Sequence, residues 1–309
     1  LSLEDIFTAP TIAQLADRLQ TATIQPDFEP IAPGQERVTS PETPLPLSFA
    51  QQQLWFVDQL ENGAPMYNVP LVLALTGPLN RLALYQAVRE ITRRHEPLRT
   101  TIRTIKGHPF AFISDLTFPA FAFIDLLDAA ATHNHPSEHN LSLYPEAYSD
   151  LYEEVQRPFD LSTGPLFRMR LLRLQEDYHI LMLNMHHIIT DGWSLTILIA
   201  EFSALYNAFK NGRPSPLPEL PIRYVDFANW QREQQITRFA EDLEYWKACF
   251  SPLPPNLALP ADYTRPPVQT FAGASLTFQI PQALFKQLLA LSQQENVTLF
   301  MTLLSVFLV

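Results

Sequence analysis

NMHHIITDGWS, residues 184–194, joins an apolar run, Tyr178–Met185, to an amphipathic helical pattern, Leu195–Phe209. The run is short, rich in large apolar residues and preceded by a turn signal at Gln175–Asp177, which predicts a buried strand. Side chains alternate across a strand. If this one persists to its end, His187 shares a face with Leu181, Leu183 and Met185, and His186 points the other way with Met182. The doublet then supplies one histidine to any given site. Asp191–Gly192 makes a sharp turn, and Ser194 is placed to cap the following helix. A histidine leaving a buried strand just before a helix N-terminus brings general-base chemistry close to oriented backbone N–H groups. A hydrogen-bonded core histidine beside a common Asp-Gly turn has the same pattern, so the stretch alone leaves a structural reading open. Adjacent histidines on opposite faces cannot share a metal ion, and no Cys or Glu cluster stands nearby to complete a ligand set.

Working outward, a second hairpin arm is expected at Leu166–Leu174, and the long helix after the turn is expected to end at Gly212. Upstream, Ser48 and Gln51 form a capping box that opens a helix to about Leu60, and Asn80 caps another running to about His95. Strands are predicted at Tyr67–Leu75, at Arg99–Ile105 and Pro109–Ile113 around Lys106–Gly107, and at Ala120–Leu126. A helix is expected over about Glu146–Arg157. His133, His135 and His139 have a metal-like spacing, but with Pro136 and no flanking structure they read as a solvated insertion. Downstream come a Pro-rich connector, helices at about Tyr224–Gln235 and Arg238–Phe250, a strand at Phe271–Ile280 and a helix from Pro281. Strands and helices mix without strict alternation, which favours an α+β layered domain over a doubly wound sheet. No Gly-rich phosphate loop is present.

The 309 residues allow one large domain or two ordinary ones, with ample core. A net charge of −11 argues against a nucleic-acid surface. The single cysteine, Cys249, rules out an internal disulfide and fits the reducing cytoplasm. It is expected to be a small buried residue near Trp246 and Phe250. No basic-then-apolar leader opens the chain, and Leu299–Val309 is too short to cross a bilayer. That run ends on an apolar stretch without a turn signal or polar tail, so the chain is expected to be cut within a domain.

Four stretches together resemble the condensation domains of non-ribosomal peptide synthetases. HHIITDGWS resembles the family's HHxxxDG motif, with Thr190 where Ser is frequent. LSFAQQQLWFVDQL, from Leu47 to Leu60, resembles the opening motif with Gln53 where Arg is usual. RRHEPLRTTI (Arg93–Ile102) resembles the second motif, and YVDFANW (Tyr224–Trp230) the fourth, with Asn229 replacing an apolar residue. The match runs from about Pro44 to the end, and LSLEDIFTAPTIAQLADRLQ resembles the last helices of a carrier domain. The organisation implied is a carrier tail at 1–20, a linker at 21–43, an N-terminal lobe at 44–211, and a connector with part of a second lobe at 212–309. The implied fold is the chloramphenicol-acetyltransferase-like pair of lobes with the site in a tunnel between them.

The resemblance implies aminolysis of a thioester. The amine of an aminoacyl group on a downstream peptidyl carrier attacks the acyl thioester on an upstream one, beside an adenylation domain. The substrates arrive on 4'-phosphopantetheine arms, and no bound cofactor or metal is implied. His187 is assigned to the proton, either as base or as a group that only positions the amine. Gly192 allows close backbone approach, so its N–H is the candidate oxyanion donor. Asp191 is expected to hold the loop through an arginine, one in the missing part of the second lobe or, within this chain, Arg99. His186 is assigned a structural role, and Trp193 either walls the tunnel or joins the core. Arg94, His95, Glu96 and Arg99 read as an ion-pair framework at a helix end. The L-donor, L-acceptor elongation subtype is the one most resembled, and with later motifs missing the piece alone is expected to be inactive. Two alternatives stand beside it: an epimerisation domain, which shares HHxxxDG, and a non-catalytic platform that recruits partner proteins.

Overall fold

Every residue of the strand Tyr178–His186 (β6) is buried, because the sheet is covered on both faces. The computed structural model describes residues 30–32, 41–61, 63–115, 119–127, 144–237, 239–255, 260–264, 266–267, 273–274 and 276–308. The carrier-like segment at 1–20 and the histidines 133, 135 and 139 lie outside the described residues. Elements before β6 are α1 (Phe49–Leu60), β1 (Asn68–Thr76), α2 (Arg81–Arg94), β2 (Thr100–Ile105), β3 (His108–Ile113), β4 (Ala120–Asp125), α3 (Pro145–Gln156) and β5 (Phe167–Gln175). After it come α4 (Gly192–Lys210), α5 (Tyr224–Thr237), α6 (Phe239–Cys249), α7 (Gln282–Gln294) and α8 (Leu299–Phe307).

The main sheet has the order β1-β6-β5-β4, with β6 antiparallel to both neighbours and β4 parallel to β5. Alternation along β6 divides its side chains between two cores. Leu181, Leu183 and Met185 pack with Leu84, Val88 and Ile91 of α2 and with Leu198, Phe202 and Leu205 of α4. Tyr178, Ile180 and Met182 pack with Ala147 and Leu151 of α3 on the other face. The hairpin β2–β3 forms a separate two-stranded sheet, tied to the start of the described chain by a bridge between Leu45 and Ala111. This is the mixed α+β layering expected from the sequence.

The local caps form as read. Ser48 and Gln51 close the capping box on α1, and the Asn80 carboxamide accepts from the Ala83 amide at 3.0 Å on α2. A second compact unit begins after Pro255. Within it α7 and α8 meet through a hydrogen bond between Ser292 Oγ and Thr302 Oγ1 at 2.7 Å. Of the strand expected at Phe271–Ile280, residues 271, 272 and 275 lie outside the described residues, and the described ones, 273–274 and 276–280, are irregular and exposed. A strand needs a neighbour to take its backbone hydrogen bonds, and the described residues of this unit offer none. Cys249 is exposed rather than buried, as is every residue of α6 from Asp242 onward. Among the described residues no helix is long and apolar enough to cross a membrane.

Candidate active site

The strand ends at His186, one residue earlier than the alternation argument requires. His187–Ile189 form a turn of 3-10 helix instead, so His187 leaves the sheet and does not share the face of Leu181 and Met185. The two histidines part at this point. His186 is 2% exposed and stays under the sheet between the rings of Tyr67 and Phe159. Its Nδ1 accepts the Ile188 amide at 3.1 Å, which shapes the turn. Burial, then the neighbouring His187, pushes the His186 imidazole down to about 4, so it is neutral in the fold.

His187 is exposed and lines a cavity of about 500 Å³. Its Nδ1 lies 2.8 Å from the Thr190 carbonyl oxygen. A carbonyl only accepts, so Nδ1 carries the proton and the lone pair sits on Nε2, which has no partner among the described residues. An imidazole held this way is a base with its accepting nitrogen free.

Asp191, not Ser194, caps the next helix. Its Oδ1 accepts the Ser194 amide at 2.7 Å and the Ser194 hydroxyl at 2.6 Å, and α4 starts at Gly192. Both residue types suit a cap, and the turn geometry selects the earlier one. The Ser194 hydroxyl, then its amide, holds the Asp191 carboxyl below the usual carboxylate range. Asp191 also draws on the Trp193 amide. Among the described residues Gly192 N–H meets no hydrogen-bond acceptor, and it stands at the positive end of a 19-residue helix. A Cβ at Gly192 would meet nothing within 4 Å, so the glycine is not required by a close backbone approach inside the chain.

Arg99, the in-chain alternative to an arginine of the missing part of the second lobe, does not pair with Asp191. Arg99 donates to the Ser114 carbonyl at 2.6 Å and lies 3.8 Å from Glu96, which fixes it to the β2–β3 side. Trp193 is 81% exposed, so among the described residues it neither joins the core nor walls the cavity. Arg94 and His95 do form a framework at the end of α2. Both bind Glu201 of α4, at 3.2 and 2.8 Å, and Arg94 also donates to the Pro218 carbonyl at 2.7 Å. Burial alone would raise the Glu201 carboxyl, but Arg94 and His95 override it and hold it low. Glu96 bonds Arg223 at 3.1 Å.

Sequence reading missed how these pieces converge. Gln51, seen only as a cap, also donates from Nε2 to the Ile188 carbonyl at 3.2 Å and so braces the histidine turn. The Tyr224 hydroxyl reaches Ser48 Oγ at 2.9 Å, Gln231 accepts the Phe49 amide at 2.9 Å, and Arg232 donates to the Leu47 carbonyl. Helix α5 thus clasps the start of α1. Residues from all four resembling stretches line one cavity: Gln51, His95, His187, Asp191 and Tyr224 among them. No group of three His, Cys, Asp or Glu suited to a metal occurs among the described residues.

A family model described as Condensation domain matches residues 42–309. A linear gramicidin synthase from Brevibacillus parabrevis is 38% identical over 308 residues, 99% of this chain and 6% of that one. Chondramide synthase of Chondromyces crocatus is 42% identical over 268 residues, covering 85% and 6%. Phosphinothricin tripeptide synthetase of Streptomyces viridochromogenes is 38% identical, covering 99% and 28%. The chain therefore spans a small part of each of these relatives. Among solved structures, the X-domain from teicoplanin biosynthesis aligns with a TM-score of 0.71 at 20% identity, covering 87% of this chain and 56% of that one. The first condensation domain of the calcium-dependent antibiotic synthetase, solved with a substrate analogue, gives 0.58 at 23%, covering 69% and 49%.

Proposed function

Since the chain belongs to the condensation-domain family, we propose that, within its full synthetase, it joins two carrier-bound groups through a new amide bond. The donor is an acyl thioester on an upstream peptidyl carrier, and the acceptor is the amine of an aminoacyl thioester on a downstream one. Both reach the cavity on 4'-phosphopantetheine arms. An adjacent adenylation domain loads the acceptor, and the work takes place in the cytoplasm.

The observation that carries this reading is His187 with its Nδ1 proton fixed on the Thr190 carbonyl and its Nε2 lone pair free, in a cavity lined by all four motif stretches. The acceptor nitrogen bonds the thioester carbonyl carbon while Nε2 accepts its proton. The C–S bond then breaks, and the same proton passes to the departing sulfur. Negative charge on the carbonyl oxygen is held by Gly192 N–H and the N-terminus of α4. Asp191 keeps that N-terminus in place as its cap. His186 stays neutral beneath, shaping the turn rather than touching substrate.

The test is transfer between separately loaded carriers in the full synthetase. His187→Ala is expected to slow dipeptide formation by about 10²–10⁴-fold without loss of folding, the range for removing a general base. Near-normal turnover removes the assignment. Recovery of an unjoined aminoacyl group with its α-carbon inverted points instead to epimerisation.

A further inference from the structure

The face of the main sheet turned toward α3 carries three buried polar atoms that meet no partner among the described residues: His186 Nε2, Asn184 Oδ1 and Asn68 Oδ1. Alternation puts Asn184 and His186 on the same face of β6, and the register sets Asn68 of β1 directly opposite His186. Opposed side chains start about 4.5–5.5 Å apart and same-face neighbours along a strand about 7 Å apart, so the three can converge on one point. Their orientation is fixed. Asn68 Nδ2 donates to the Val155 and Arg157 carbonyls at 2.6 and 3.0 Å, and Asn184 Nδ2 to the Glu154 carbonyl at 2.9 Å. Each carboxamide is thereby pinned to the end of α3 by its nitrogen, and its oxygen is left over. His186 is held as firmly. Its Nδ1 accepts the Ile188 amide, so the ring proton is on Nε2, and the rings of Tyr67 and Phe159 flank it.

One N–H donor and two oxygen acceptors are thus gathered out of reach of solvent, with Asn184 wholly buried. The two oxygens cannot satisfy each other. A cation would oppose the N–H, an anion would oppose both oxygens, and hydrocarbon would leave all three unmet. A water molecule closes the count. Its oxygen accepts from Nε2 and its two hydrogens go to the two carboxamides, three bonds being usual for a buried water.

We propose that His186, Asn184 and Asn68 hold one buried water molecule, which keeps the His186 proton on Nε2 and makes the two asparagines positioning residues for His187. With the proton on Nε2, Nδ1 stays an acceptor for the Ile188 amide. That bond shapes the turn His187–Ile189, and the turn sets the Thr190 carbonyl against His187 Nδ1. The accepting nitrogen in the cavity is therefore placed from beneath the sheet by residues that touch no substrate. The water site stands on geometry alone, and its effect on transfer rests on the peptide-bond reading above.

A crystal structure of the full synthetase, at a resolution that shows ordered solvent, tests the site. One water is expected about 2.7–3.2 Å from His186 Nε2, Asn184 Oδ1 and Asn68 Oδ1 together. A direct bond from Nε2 to either carboxamide, or a dry space between them, overturns the site. Transfer between loaded carriers tests the positioning role. Asn184→Leu keeps the volume without the acceptor, and is expected to lower kcat by about tenfold or more while KM for both loaded carriers holds. Asn184→Ala leaves room for a second water in place of the carboxamide, and is expected to turn over faster than Asn184→Leu. A residue that matters only for packing gives the reverse order, so a Leu variant as fast as the Ala variant overturns the role. Where Asn184→Leu does not fold, Asn68→Leu and Asn68→Ala give the same comparison at the edge strand. Absence of product from the unaltered protein overturns the peptide-bond reading itself and leaves the crystallographic result standing.

Discussion

Asp191 and Gly192 show how one turn separates stability from chemistry. The Asp191 carboxylate works as an N-cap, and Asn is as good a cap as Asp. Asp191→Asn is therefore expected to keep its melting temperature, whereas Asp191→Ala loses about 1 kcal/mol in urea unfolding. A loss of the same size in both variants would show that charge, and not the cap, holds the loop. Gly192 has helical backbone and open space where a Cβ would stand. Gly192→Ala is expected to fold at least as stably, since Ala is favoured over Gly in a helix by about 0.5–1 kcal/mol. If that space is where the thioester carbonyl lies, the same change slows transfer. Unaltered turnover with unaltered stability would remove Gly192 from the oxyanion role.

At the level of elements, the turn His187–Ile189 depends on a neutral histidine beneath it. His186 drops from the ordinary 6.5 to about 4 through burial, then through His187. The unfolded chain takes up that proton below about pH 6.5, while the fold refuses it until about pH 4. Stability from this group is complete above pH 6.5 and is lost as pH falls to about 4, an effect on the order of 3 kcal/mol. His186→Asn, whose carboxamide oxygen can still accept the Ile188 amide, is expected to flatten that part of the unfolding free energy against pH. An unchanged slope would mean that other groups carry it. Elements of this kind were only partly legible beforehand. The Ser48–Gln51 box and the Asn80 cap could be read because each is closed by residues three apart. Asp191 and Ser194 are both good caps, so composition could not choose between them. The end of β6 was misplaced by one residue because alternation gives no stop signal, and the local bond from the Ile188 amide to His186 Nδ1 that accompanies the turn needs a buried, neutral ring, which composition does not reveal. The strand expected at Phe271–Ile280 had the pattern but not the neighbour.

At the level of the molecule, long-range polar contacts decide where the legible pieces go. Arg94 and Glu201 are 107 residues apart, and Ser48 and Tyr224 are 176 apart. Nothing in either local sequence announces its partner. On the other face of the sheet Glu154 of α3 is buried between Arg168 and Arg170 of β5, while the Asn184 carboxamide donates to the Glu154 carbonyl at 2.9 Å. Burial pushes the Arg168 guanidinium down despite Glu154, so the carboxylate is what makes its charge tolerable there. Glu154→Gln leaves Arg170 on Asp150 but the buried Arg168 with only backbone carbonyls for partners, and is expected to cost about 3–5 kcal/mol in urea unfolding. A cost below about 1 kcal/mol would show that α3 is held by its apolar face alone. The four motif stretches, scattered through the sequence, are brought to one cavity by such contacts. Their spacing in the chain could not have revealed it.

Neighbouring histidines here hold opposite tautomers, His186 with its proton on Nε2 and His187 with its proton on Nδ1. Nitrogen-15 NMR of the histidine rings, in the full synthetase or a folded piece containing this chain, reads this directly at a pH where both rings are neutral. With His186 and His187 assigned among the chain's eight histidines, one of the two is expected in each tautomer, with the Nε2 signal of His187 unprotonated and shifted by a bound acceptor amine. Two rings of the same tautomer, or a protonated Nε2 on His187, would contradict the account.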